Sequence, residues 1–237
     1  MTIEGFMHIY AANNWRQIVN NQIDKITRSG LMEKIDFLNI GMVYQTNERP
    51  DREFLYELPK AFLLYCLKNP EYEQSLTLCS LWLHCCENDG YVFYIHTKGV
   101  SHINKTKLYQ DDWRNMMEHF IIERQEECLH YLNVTKADVV GVNWHLGDGY
   151  MGASPRMCGG LKATSHFSGN FWWARNSYIR TLPDPFPIKQ SKYECEFWIG
   201  LNKPKVVELW NSGTHHHRNS YPEEMYFGKK QISFFNM

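Results

Sequence analysis

The sequence predicts an α/β chain whose mostly parallel central sheet is flanked by helices. Apolar, β-branched and aromatic runs alternate with segments of helical periodicity, the order of a parallel sheet with helices on its faces. The run Tyr91-Val-Phe-Tyr-Ile95 stops abruptly at His96-Thr-Lys98-Gly99, and Asp138-Val-Val-Gly-Val-Asn-Trp144 has the same form. Open α/β sheets present their chemistry in the crevice beyond the carboxyl ends of such strands.

The first strand is read at residues 7–11. Asn13 or Asn14 then caps a helix in which Trp15, Ile18, Val19, Ile23 and Ile26 share one face and Gly30 supplies the stop. Residues 37–44 are apolar but for Asn39 and read as a strand buried on both faces. Residues 51–67 and 71–86 read as helices separated by Asn69-Pro70, before the strand at 91–95. A long helix follows at 110–132, striped by Trp113, Met116, Met117, Phe120, Ile121, Cys128 and Leu129. Strands at 139–144 and 166–173 flank a glycine-rich loop, 145–165, of a length that points to a functional lid with Asp148 and Arg156. A short helix at 174–182, a helix at 191–201, a final strand at 205–210 and a wrapping tail complete the reading.

With 237 residues the chain is long enough to bury a sizeable core without staples. A net charge of −1 without single-sign runs argues against a nucleic-acid footprint. No apolar run reaches the length of a membrane span, and no signal-peptide pattern opens the sequence. Seven cysteines at irregular spacing fit reduced thiols better than a disulfide framework. The expectation is a soluble cytoplasmic protein (the host cytoplasm, for a viral one). Aromatics are 15% of residues and many adjoin Asn, Gly, Ser and His, a surface suited to sugar rings and bases.

Four segments carry chemistry. Lys98, at a strand's carboxyl end beside Gly99, can neutralise a diphosphate as a point charge. In His166-Phe-Ser168-Gly169-Asn170-Phe-Trp172-Trp173, hydrogen-bonding groups lie beside flat aromatic surface, as a hydroxylated ring requires. Trp172 and Trp173 point to opposite faces of a strand, so at least one packs. Glu194 and Glu196 lie among Tyr193, Phe197 and Trp198, surroundings that raise a carboxyl pKa and suit a general base. On a helix the two diverge by about 200°, so that only one faces the site. The fourth segment is Asn211-Ser-Gly-Thr-His215-His-His217-Arg218; one histidine there could complete a metal site, or a histidine with Arg218 could hold phosphate oxygens.

Taken in this order, the segments resemble a GT-A-type glycosyltransferase, similar to small glycosyltransferase-like proteins of bacterial polysaccharide clusters and large DNA viruses. The shared features are Trp15 with its helix ending Ser29-Gly30-Leu31, His96–Gly99, Trp113-Arg114, Asp138-Val-Val-Gly141, residues 166–173 and residues 194–198. The resemblance implies one GT-A-like domain over residues 1–237, with a nucleotide-sugar-binding half to about 135 and an acceptor and catalytic half from about 136. It implies transfer of a hexose or deoxyhexose from a nucleotide-sugar, expected to be UDP-linked, to a glycan or glycoprotein. Glu194 and Glu196 would be catalytic. His96, Thr97, Lys98, Gly99 and Arg114 would bind the donor diphosphate. Asn143, His166, Ser168, Gly169, Asn170 and Trp172 would contact sugar or acceptor. The fold's usual Asp-x-Asp is absent from the chain. Mn or Mg could still bind through His96, His215 and His217, or cations such as Lys98 with Arg114 or Arg218 could replace the metal. The alternative reading is a non-catalytic carbohydrate- or nucleotide-binding module.

Overall fold

Eight strands form the main sheet of the computed structural model, which describes residues 2–68, 74–101, 107–147, 164–185 and 192–236. Strand β1 (Thr2–Tyr10) leads into helix α1 (Trp15–Arg28), then β2 (Phe37–Val43), β3 (Ala61–Leu67), helix α2 (Ser75–Glu87) and β4 (Gly90–His96). Helix α3 (Lys107–Glu118) continues through a π-helical turn, His119–Glu123, into α4 (Gln125–Val134). After β5 (Val139–Val142) come two short strands, β6 (Trp144–His145) and β7 (His166–Phe167), which pair with each other outside the main sheet. Strand β8 (Trp172–Arg175), helix α5 (Lys192–Phe197), β9 (Lys205–Trp210) and β10 (Ser233–Asn236) follow.

The strand order is β10-β9-β5-β8-β4-β1-β2-β3. Strands β1, β2, β3 and β4 pair in parallel, as do β5 and β9, while β8 and β10 run against their neighbours. The architecture is therefore mixed α/β with a large, mostly parallel sheet flanked by helices. Because β8 is antiparallel, its amino end and the turn before it meet the carboxyl ends of β4 and β5 at one edge. That edge is where the polar segments collect.

Alternation along the strands builds two cores. Met7, Ile9, Phe93, Ile95, Val140 and Trp173 pack toward one face, with Val19, Ile23 and Ile26 of α1 and Met116, Met117 and Phe120. Phe6, Val92, Tyr94, Val139 and Trp172 pack toward the other, with Leu78, Leu81 and Cys85 of α2 and with Trp198 and Ile199. Both tryptophans are core: each is fully buried. Trp172 stacks on Tyr94 with ring centroids 5.4 Å apart, and Trp173 lies 4.9 Å from Phe93. This corrects the assignment of Trp172 to a sugar-contacting surface.

Several expectations change. The helix expected over 51–67 is a single turn, Glu53–Tyr56, followed by the edge strand β3. The run Ala-Phe-Leu-Leu-Tyr-Cys-Leu has no period that separates strand from helix. Pairing with β2 decides it, and Lys60, at φ 60°, breaks the chain direction just before. The strand expected over 166–173 is two strands, split by a turn in which Gly169 has φ 93° and Asn170 φ 59°. The final strand is β10 rather than β9, because the tail returns to cover the β9 edge. Neither candidate cap bonds the first turn of α1; Asn13 instead donates its side-chain amide to the Val100 carbonyl at 2.7 Å. Gly30 takes the left-handed conformation expected of a helix stop, φ 73°. Most of the loop read as a lid, residues 148–163 with Asp148 and Arg156, lies outside the described residues.

Candidate active site

The turn after β4 is built from backbone outward. Lys98 N–H closes on the His96 carbonyl at 2.7 Å, and Thr97 N–H bonds the His8 carbonyl at 3.1 Å. Gly99 has φ 84°, and a side chain there would come within 2.8 Å of the Gln110 Cβ, so glycine is required twice over. Helices α1 and α3 grip the turn from behind. Gln22 donates to the His96 carbonyl at 3.1 Å and Arg114 donates to the Lys98 carbonyl at 2.9 Å. Thr97 Oγ1 accepts the Tyr10 N–H at 2.9 Å. His96 Nε2 lies 2.9 Å from the Gly169 carbonyl, which only a ring N–H can satisfy, so this nitrogen is a donor.

These contacts give His96, Thr97 and Arg114 framework roles. The Arg114 guanidinium lies 2.8 Å from Asp111 and 3.4 Å from Glu118, with only 7% of its side chain exposed. Glu118 also accepts from Lys25 at 2.7 Å and from Gln22 at 2.9 Å. Arg114 thus spends its charge beneath the turn instead of presenting it to a diphosphate. His96, with Nε2 bonded to Gly169, does not offer that nitrogen to a metal.

Lys98 differs. Its ammonium stands 3.4 Å from Glu196 Oε1 and 4.3 Å above the Trp113 ring, and the side chains of the pair are 14% and 15% exposed. Glu196 comes from α5, across the sheet edge. Burial, the largest single influence, pushes its carboxyl pKa up, but Lys98 together with His166 and His96 outweighs it and leaves the pKa below the usual value. The raised pKa expected from the aromatic surroundings is therefore reversed by Lys98 acting with two histidines. Glu194 lies about 200° around the helix and makes no pair with Lys98. His166 completes this wall: its Nδ1–H donates to the Thr164 carbonyl at 2.8 Å, and its ring lies 4.7 Å from Phe197. Burial lowers the His166 pKa, with the Glu196 charge opposing.

The Ser168-Gly169-Asn170 turn is mostly structural. Asn170 is fully buried; its amide donates to Gln74 Oε1 at 2.9 Å and its Oδ1 accepts the Trp172 indole N–H at 2.8 Å. At Gly169 a side chain would strike Met117 Sδ at 2.4 Å. Ser168 is half-buried, and its N–H bonds the Asn143 carbonyl at 2.9 Å. Asn143, at φ 52°, joins the ends of β5 and β9: its N–H bonds the Trp210 carbonyl and its Oδ1 accepts the Ser212 N–H, both at 2.8 Å. Of the residues expected to touch sugar, His166 and Ser168 retain partly open positions, whereas Asn143, Asn170 and Trp172 are enclosed.

In the loop after β9, His215 and His217 are exposed with their rings 5.8 Å apart. His216, passed over in the sequence reading, is the one turned inward. Among the described residues no group of three or more His, Cys, Asp or Glu side chains is placed to hold a metal ion. Three histidines at this edge are buried: His8, with its pKa pushed down to about 3, and His96 and His216, each to about 4, burial being the main cause in all three.

This gives a pH dependence of stability. An unfolded histidine titrates near 6.5, so below that pH the unfolded chain binds protons that these folded sites refuse. The contribution is complete above about pH 6.5 and drains as the pH falls toward 4. The urea midpoint is therefore expected to drop between pH 7.5 and 5. A midpoint that stays level or rises across that range would contradict neutral burial.

A family model described as Domain of unknown function (DUF8361) matches residues 6–232. The chain belongs to this DUF8361 family. No curated protein matches it. Among solved structures, the crystal structure of S. aureus TarS 1-349 is similar to this DUF8361 chain with a TM-score of 0.38 and 12% identity, covering 84% of this chain and 54% of that one. The DUF8361 chain thus spans about half the length of that structure.

Proposed function

We propose that the chain is a glycosyltransferase that moves a sugar from a nucleotide-sugar, UDP-linked by preference, to a glycan or glycoprotein acceptor. The observation that carries this reading is the Lys98–Glu196 pair, enclosed at the carboxyl edge of a parallel sheet. A cation and an ionised carboxylate in one crevice match the two charges the reaction develops: a leaving diphosphate and an acceptor hydroxyl losing its proton. Lys98 comes from the donor half and Glu196 from the acceptor half.

The pair also couples binding to chemistry. When a donor diphosphate enters, the Lys98 ammonium is shared between it and Glu196. Glu196 then loses part of the charge that depresses its pKa and becomes a better base. It takes the acceptor proton as the new glycosidic C–O bond forms. The bond from the anomeric carbon to phosphate breaks, and its electron pair goes to the diphosphate facing Lys98. Arg114, Gln22 and Glu118 hold the turn that aims Lys98.

The test is nucleotide release and sugar transfer by purified protein across a nucleotide-sugar panel. Turnover of at least one donor, abolished in a Lys98→Ala, Glu194→Ala, Glu196→Ala triple variant, is expected. Full activity of that variant would overturn the site. Calorimetric binding of donor with no product over long incubation would establish the non-catalytic module instead.

A further inference from the structure

We propose that Gln110, Trp113 and His216 form a subsite for a hydroxyl group of the donor sugar, a specificity element of the site above that rests on the glycosyltransferase reading. Gln110 and Trp113 lie on α3 and His216 on the loop after β9, and they are 1%, 3% and 5% exposed. The Trp113 and His216 rings are stacked, with centroids 5.0 Å apart and planes 8° from parallel. His217 meets the same indole edge-on at 5.2 Å, and its Nδ1 lies 3.1 Å from Gln110 Nε2.

Each of the three carries one enclosed polar atom with no partner among the described residues: Gln110 Oε1, Trp113 Nε1 and His216 Nδ1. Their roles can be assigned. Gln110 Oε1 is an acceptor and Trp113 Nε1–H a donor. His216 Nε2 faces the Asn143 amide nitrogen at 3.2 Å and Ser212 Oγ at 2.8 Å. Against an amide N–H donor, Nε2 must accept, which puts the proton of the neutral ring on Nδ1. The unmet demand is therefore one acceptor and two donors.

That demand selects a ligand. A phosphate or carboxylate oxygen only accepts, so it would leave Gln110 Oε1 unpaired. An ammonium only donates and a metal ion needs lone pairs, so either would meet two N–H groups that offer it nothing. A hydroxyl has one donor and two acceptor lone pairs, the complement of the three atoms. The donor sugar is favoured over the acceptor sugar because Lys98 lies 4.3 Å above the Trp113 ring, and a donor's sugar is bonded directly to the diphosphate that Lys98 would face. His215 and His217 are exposed on the loop that walls the cluster, so entry requires this loop to move outward.

Calorimetry would compare UDP-, GDP- and dTDP-sugars, each against its own bare nucleotide, on wild type and on a Gln110→Met, His216→Phe double variant. Wild type is expected to bind its preferred nucleotide-sugar at least tenfold more tightly than the nucleotide alone. The double variant should reduce that ratio to within twofold; should it not fold, Gln110→Met alone is read. A ratio unchanged in the variant, or no sugar advantage in wild type, overturns the subsite, its three atoms then holding a bound water only. If no nucleotide binds at all, the glycosyltransferase reading fails by itself. Saturation-transfer NMR with methyl glycosides then decides the subsite: transfer to sugar protons that the variant abolishes supports it, and no transfer in wild type overturns it.

Discussion

Glu196→Gln is expected to lower turnover by about a hundred- to ten-thousandfold, the usual contribution of a positioned general base. Donor affinity should hold or increase. In wild type Glu196 competes for the Lys98 ammonium across 3.4 Å, and the amide removes that competing charge while keeping the shape. The loss should therefore appear in kcat and not in KM, the pattern of an interaction used in the transition state. Glu194→Gln should remain close to wild type, because its side chain leaves the helix on another side. Equal losses in the two variants, or none in Glu196→Gln, would remove Glu196 as the base. Both are read by steady-state kinetics with the donor that the panel identifies.

Trp172→Ala is expected to cost about 3–5 kcal/mol of stability, the range for deleting a large buried aromatic. Trp172 is fully buried against Tyr94, and its indole N–H is held by Asn170 Oδ1 at 2.8 Å. Truncation would open a cavity in the second core and leave Asn170, itself fully buried, short of a partner. A domain's total stability is about 5–15 kcal/mol, so the variant would sit near its unfolding threshold at room temperature. Urea titration measures the loss. A Trp172→Ala protein with wild-type stability but weakened sugar binding would return Trp172 to the surface role the sequence suggested.

The split between these two residues shows what was legible. The Lys98 turn stands out in the chain because it follows an apolar run, and the pair of glutamates because carboxyls are set among Tyr193, Phe197 and Trp198. Helical geometry alone said that one glutamate would turn away from the site. Which one turned toward Lys98 depended on how α5 docks across the sheet edge. The direction of the Glu196 pKa shift likewise followed from groups remote in sequence, Lys98 foremost with His166 and His96, and not from the aromatic neighbours beside it. Arg114 was readable as a cation but not as one already spent, since Asp111, Glu118 and the Lys98 carbonyl surround it only in the fold.

Sequence also could not separate His216 from its two neighbours. Three identical residues in a row carry no positional signal, and the inward one is chosen by stacking on Trp113 from another element. The strand reading missed β3 for a related reason: an unbroken apolar run fits either periodicity, and only a hydrogen-bonded neighbour resolves it.

By itself, the sequence determined the α/β class, most helix and strand positions and the segments that end at the sheet's carboxyl edge, because local periodicity and chain punctuation set these. The tertiary structure decided which polar side chains share a crevice, which are consumed as framework, and which remain unpaired. Those outcomes depend on distances between residues far apart in the chain, and at such distances a single charge or hydrogen-bond partner determines what a side chain can do.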